Sequence, residues 1–512
     1  MSLTIPTMAA IRFGYGIRPG ETPVASVGDL LAQVDKGARQ TPSFPREGIE
    51  QRRATYTRLT EEQAEIFRLR RSGQVEPERQ KAVQAARQAA YQADSMARIA
   101  DAVLSPYGFY QRLAGFWSNH FAVSAGKLPA MRLMVSLYEA EAIRPNVGGS
   151  FSDLLHAAAL HPAMLIYLDQ VRSVGPNSPA GQEKGKGLNE NLARELMELH
   201  TLGVDGGYSQ ADVRSAALLL TGLGIKKPEQ VTTFHRRRAE PGPITVRGKV
   251  YGDPRRSIEE CRELLDDLAA DPHTARHVCT KLAAHFIADT PPQEVVAAMT
   301  DAWAASDGEL MAVYRAMLEH PRAWIDEGAK IKTPFEFVVS GLRALDVDGD
   351  MLAAMVASVG AGEPAAGDAA AMMAEPGMAS AMSSAMSMGA DQPQPDAAED
   401  PAETVAAKAL RQARPLTINA VARMGQATWQ PSSPKGFPDD ASSWLTAGQL
   451  AERISWARRA VSLFGEDEDP RAFLRATLAD AARDDTIQVV SQAPSKQHGL
   501  TMVLASPEFN RR

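Results

Sequence analysis

Apolar residues recur at three- and four-residue spacing along nearly every long segment of this 512-residue chain, and runs of β-branched residues are scarce. That period lines one face of an α-helix, whereas a half-buried strand needs strict alternation. Ala, Leu, Arg and Glu fill the positions between, and all four form helices readily. The spacing predicts a mainly α fold built as one large multi-helix domain. Residues 60–104 read as one or two long, mostly solvated helices. Helices follow over Tyr107–Phe121, Leu128–Arg144, Phe151–Gln170, Asn189–Leu202 and Gln210–Thr221, then across 257–287, 292–304, 308–319 and 334–345. The one convincing β signal is the alternation Ile244–Tyr251, broken by Gly248, which predicts a small hairpin near 242–252. Thr333-Pro334-Phe335-Glu336 has the form of a capping box with Pro at the first helical position, and Ser209–Asp212 repeats it with a shorter acid. Gly203 fits a left-handed helix end.

The periodicity stops at 347–407, where Ala, Gly, Met, Pro, Asp and Ser dominate. Such a segment cannot bury enough apolar surface to offset its chain entropy, so the sequence predicts a disordered Ala/Met-rich insertion. It divides a main domain, 1–346, from a C-terminal helical segment, 408–512, that packs back on it. Methionines Met378, Met382, Met386 and Met388 within it offer thioethers to copper(I) as an alternative to a plain linker; no cofactor and no metal is otherwise expected. A net charge of −7 gives no basic footprint for nucleic acid. No apolar run is long enough to span a membrane, and no signal peptide opens the sequence, which places the chain in the cytoplasm. Two cysteines, Cys261 and Cys279, are too few for a disulfide framework or a four-cysteine zinc site and read as buried apolar residues.

The densest polar signal is Asn189–Gly203. On a regular helix Leu192, Leu196 and Leu199 share a buried face, with Asn191, Glu195 and Glu198 as a polar stripe along its edge. Glu190 and Arg194 stand four apart on the opposite side and suit a surface ion pair. Two carboxylates at the border of a core provide general acid–base equipment or half a metal site once another helix supplies a partner; bonding to neighbouring helix ends or Arg side chains is the plainer role. Asn119 and His120 lie among aromatics in Phe116–Phe121. His161 falls in the cap region ahead of Pro162, and Asp169 at the exit of the same helix. Arg236–Arg238 form a basic cluster suited to a solvated loop or an anionic group.

The segments FWSNHF (116–121), HPAMLIYLD (161–169), NENLARELMELHTLGV (189–204), YSQADVR (208–214), KIKTPFEFVVSGLRAL (330–345), SPKGFPDDASSWL (433–445) and LASPEFNRR (504–512) together resemble a bacterial family called domain of unknown function 1800. The resemblance spans nearly the whole chain in order. It implies a helical fold and a family core containing Trp117, Asn119 and His120; His161, Pro162 and Asp169; Asn189, Asn191, Arg194, Glu195 and Glu198; and Lys332, Thr333 and Pro334. Members are often exported and are commonly encoded beside a phosphatase/sulfatase-like protein bearing a twin-arginine signal. The chain departs from the pattern at AALLLTGLG (216–224), in its longer 172–187 loop and in the Met-rich insertion. The resemblance assigns no activity, and two functions stay open, the first favoured because no nucleophile, metal set or cofactor loop assembles from spacing alone. One is a scaffold or export partner of that neighbour, with periplasmic location by co-export. The other is a hydrolase-type enzyme acting on a carbohydrate or other polymer, in which Glu195, Glu198 and His120 are catalytic and Asn119, Asn191, Arg194, His161 and Asp169 bind.

Overall fold

A computed structural model describes residues 3–184, 187–226, 230–252, 255–325, 330–359, 410–465 and 468–512. Helices dominate, as the apolar spacing predicts, and among the described residues the only sheets are two antiparallel hairpins. The expected hairpin pairs β3 (Ile244–Val246) with β4 (Lys249–Tyr251). Its two-residue turn places Arg247 at φ 47° and Gly248 at φ 84°, the left-handed pair that matches strand twist. A second hairpin, β1 (Leu223–Lys226) with β2 (Val231–Phe234), corrects the expectation of a single one. Its strands are only four residues long and carry no clear alternation of burial, so periodicity could not reveal them.

The stretch expected to be mostly solvated forms helices Ile49–Arg71 and Pro77–Leu104. The second is buried over most of Ala93–Val103, because helices Met131–Tyr138, Pro334–Ala344 and Gly349–Val359 all pack on it. Its small Ala side chains permit that close approach and read as hydrophilic only in average. Phe151–Gln170 is not one helix. Chain direction changes at Leu160–His161, giving helices Phe151–Ala159 and Pro162–Tyr167. The proline lacks the N–H that a continuous helix would use.

Two apolar cores result. The larger gathers Phe13, Phe109, Trp117, Phe121, Phe151, Leu196, Phe286 and Tyr314. The smaller joins Tyr15 and residues 96–103 to Phe337, Leu342, Leu416, Trp456 and Leu500, so 410–512 folds against the 334–344 helix. Gly341 permits this contact: a Cβ there would lie 2.3 Å from the Trp456 ring. Helix Gly349–Val359 buries Leu352, Met355 and Val359 in the same core. Packed structure therefore runs past 347, because Leu352, Met355 and Val359 repeat at helical spacing ahead of the Ala/Met tract. The expected disorder of the remaining insertion, and Met378, Met382, Met386 and Met388, lie outside the described residues.

Both capping boxes form, Gly203 takes φ 82°, and both cysteines are buried and free, their thiols pushed up to about 12 by burial. Among the described residues no helix is long and apolar enough to cross a membrane, and no group of three or more His, Cys, Asp or Glu side chains is placed to hold a metal.

Candidate functional site

The 189–204 segment is helical over Asn191–His200, but its second half is a π-turn, Leu196–His200. The wider turn rotates the later side chains away from their regular helical positions. Leu192 and Leu196 are buried as the wheel predicts, yet Met197 takes the core position expected for Leu199, and His200 is fully enclosed. The Leu199 and His200 carbonyls face His277 Nε2 (3.2 Å) and His120 Nε2 (3.1 Å).

Asn191 and Glu195 face an open groove of about 580 Å³ with Lys127, Tyr167, Gln430 and Ser432. The Asn191 amide and the Glu195 and Glu198 carboxylates have no hydrogen-bond or ion-pair partner among the described residues; Asn191 only donates its backbone N–H to Asn189. Partial burial raises the Glu195 pKa, and the neighbouring Glu198 charge adds to the effect against Arg194 and Lys435. The Tyr167 phenol across the groove is pushed up to about 12 by burial and by Glu195. Glu198 does not line the groove but contributes its charge to this group. At the rim, Asp169, held at φ 58°, accepts from Lys127 Nζ at 2.6 Å.

The remaining expected site residues are bonded into the framework. Arg194 pairs with Glu190 at 3.2 Å, as the four-residue spacing predicts, and also donates to Gln210. His161 caps its helix, Nδ1 accepting from the Ala163 N–H (3.1 Å) while Nε2 donates to Glu141 (3.1 Å). His120 lines neither the groove nor the cavity beside Arg112. Burial holds its pKa well below the usual range, so it is a neutral imidazole donating to a backbone carbonyl. Asn119 grips the 430–438 loop with both ends of its amide: Nδ2 donates to the Phe437 carbonyl (2.9 Å) and Oδ1 accepts the Phe437 N–H (2.7 Å). Gly436, at φ 80°, is required beside it, since a Cβ would lie 2.4 Å from the Asn119 carbonyl oxygen.

On the other side of that loop lies a tighter cavity of about 90 Å³, lined by Arg98, Arg112, Ser118, Glu336 and Asp439 with aromatic walls. Its charges form a buried network. Glu139 accepts from Arg98 (2.9 Å), Arg144 (3.1 Å), Ser118 (2.8 Å) and the Trp429 indole (2.7 Å). Burial pushes this carboxyl up, but Arg98 and Arg144 prevail and hold it ionised. Glu336 meets Arg512 closely and Arg112 at 3.3 Å. Asp439 pairs with Arg512 (2.5 Å), Lys330 (3.2 Å) and His285 Nδ1 (3.1 Å). The cations overcome the effect of burial and depress both carboxyls.

A family model described as protein of unknown function (DUF1800) matches residues 8–511. The chain belongs to that family. No curated protein and no solved structure matches it.

Within this DUF1800 chain the segments that carry the resemblance meet on the two sides of one loop: FWSNHF, KTPFEF and GFPDD on the cavity, YLD and NENLARE on the groove. Sequence reasoning missed Arg98, Arg112, Glu139, His285 and Asp439, and gave Glu336 a capping role alone. The available signal was the ionisable residue inside each segment, Glu336 in KTPFEF and Asp439 in GFPDD. Periodicity gives no way to pair positions a hundred residues apart. Nor is Arg236–Arg238 a free basic patch: Arg238 donates to the Val171 and Ser173 carbonyls, and Arg237 pairs with Glu183.

Proposed function

We propose that the open groove is the working site of this DUF1800 chain and that Glu195 is its proton-carrying group in a hydrolase-type reaction on a polar, hydroxyl-bearing polymer. The observation that carries this reading is the partner-free stripe. Buried or half-buried polar groups are normally bonded, yet the half-buried Glu195 and Glu198 carboxylates, beside the exposed Asn191, are left open where other polar side chains of the motif are tied inward. A carboxyl raised by burial and a like-charged neighbour holds its proton more readily than an ordinary one, which suits it to proton transfer. Asn191, Gln430 and Ser432 supply donors and acceptors for hydroxyl groups, and an open groove admits a chain rather than an isolated small molecule.

The scaffold or export-partner reading is favoured by a different observation: Asn119, His120, His161 and Arg194 all brace backbone or neighbouring helices. On that reading the groove receives a segment of a phosphatase/sulfatase-like neighbour. Glu195→Gln separates the two. Assayed on a panel of polysaccharides and peptidoglycan, the parent turns over at least one polymer, and the variant loses turnover at unchanged thermal stability. A parent inert on the whole panel, with binding of the neighbour abolished by the same substitution, would replace the enzyme by the scaffold.

A further inference from the structure

The tighter cavity beside Arg112 presents a second feature that the groove does not explain. Arg112 is 2% exposed, yet each of its polar contacts is long: 3.3 Å to the Gly14 carbonyl, 3.2 Å to His285 Nε2 and 3.3 Å to Glu336. Its Nε has no partner, and Glu336 is engaged more closely by Arg512. Charge-assisted bonds of a satisfied guanidinium run shorter, about 2.7–2.9 Å. The charges around the cavity do not balance either. Arg98, Arg112, Arg144, Arg512 and Lys330 are tied to Glu139, Glu336, Asp439 and Asp289, and the buried Lys332 and Arg453 beside Glu336 add to the positive side, so cations outnumber carboxylates. His285 adds none: burial lowers it to about 4, and its ring donates to Asp439 while accepting from Arg112. Burying an uncompensated charge is costly, so an arrangement of this kind calls for a counter-ion.

We propose that this cavity is a binding site for a small monocarboxylate, whose carboxylate meets Arg112 and whose organic part lies against Phe116, Phe335 and Trp429. A monoanion suits the site because a dianion would face Glu336 and Asp439, which line the same space. The volume of about 90 Å³ exceeds the roughly 10–15 Å³ that one water needs, but it cannot admit a polymer. Both guanidiniums lie over aromatic rings, but Arg98 is bound to Glu139 at 2.9 and 3.1 Å, which leaves Arg112, with its longer contacts, as the one available to a ligand.

The test uses the full chain and acetate as probe, followed by broadening of the acetate methyl resonance at constant ionic strength set with chloride. Broadening that saturates is expected, with Arg112→Gln weakening binding by about tenfold or more. Inorganic phosphate is expected to compete poorly. Absence of broadening, or equal binding by Arg112→Gln, overturns the proposal, and tighter binding of phosphate overturns the choice of a monoanion. Should Arg112→Gln fail to fold, Ala122→Leu fills the same cavity without removing a charge. It is expected to abolish acetate binding with the fold retained, and undiminished binding in that variant rejects the site.

Discussion

The groove beside Glu195 and the cavity beside Arg112 share the 430–438 loop as a wall, yet they treat charge in opposite ways. In the groove the Glu195 carboxylate stands without a partner, and burial raises its pKa. In the cavity, carboxylates drawn from three separated segments are each held by two or more cations and are depressed. Burial acts in the same direction on both sets; the presence of partners decides the outcome. An acid held ionised by several guanidinium groups fastens segments together. An acid left alone at an opening is available for chemistry. The difference makes the cavity network the likeness of a rivet and the groove stripe a poised group, and substitutions should treat the two sides differently.

The largest effect is expected at Glu336→Gln. Removing the charge leaves Arg112 without its carboxylate and Arg512 with Asp439 alone, and losing one partner of a buried pair costs about 3–5 kcal/mol. Urea unfolding reads this directly; a loss below about 1 kcal/mol would mean that the cavity charges are solvated and that the contrast with the groove fails. Next is the shared wall. Gly436→Ala forces a methyl against Asn119 at a left-handed backbone position, and about 1–3 kcal/mol is expected. Since Asn119 holds Phe437, that variant should disturb acetate binding and polymer turnover together, whereas Glu195→Gln should disturb turnover alone.

Acid sharpens the comparison further. Burial lowers His200 to about 3 and both His277 and His285 to about 4. Their neutral forms are favoured in the folded chain, so the stability they contribute is complete above the unfolded value near 6.5 and is lost as pH falls toward 4. Glu139, Glu336 and Asp439, depressed in the fold, add their loss below the ordinary carboxylate range. Urea midpoints should therefore begin to fall below about pH 6.5. A flat profile down to about pH 5 would show these imidazoles to be hydrated rather than enclosed.

How much of this was legible in the sequence depends on the same division. The helical class, the hairpin at 244–251, both capping boxes and the Glu190–Arg194 pair rest on neighbours close along the chain, and local spacing reveals such contacts. The placing of Asn191 and Glu195 together was visible for that reason, whereas Glu198, within the turn that follows, falls outside the groove. The π-turn at Leu196–His200 was not visible, since a helical wheel assumes regular geometry, and it moved Met197 into the place expected for Leu199. Burial of 93–103 was hidden by its alanines, which become core only when three other helices close on them. The cavity was out of reach altogether, because Arg112, His285, Glu336 and Asp439 meet only in the folded chain.

The central claim is that Glu195 is a free acid at a working site and not a strut. Its raised pKa carries a definite sign. The folded state holds the Glu195 proton more tightly than the unfolded chain does, so stability falls slightly as pH rises through the unfolded and then the folded value. At pH 7 the ionised carboxylate is therefore held at a small cost, and Glu195→Gln relieves it. The decisive measurement is the unfolding free energy of Glu195→Gln against the parent at pH 7. A value within about 0.5 kcal/mol of the parent, or somewhat above it, is the predicted result. A loss of about 1–3 kcal/mol, the amount expected when a bonded buried group is mispaired, would contradict the account and return the groove to the framework.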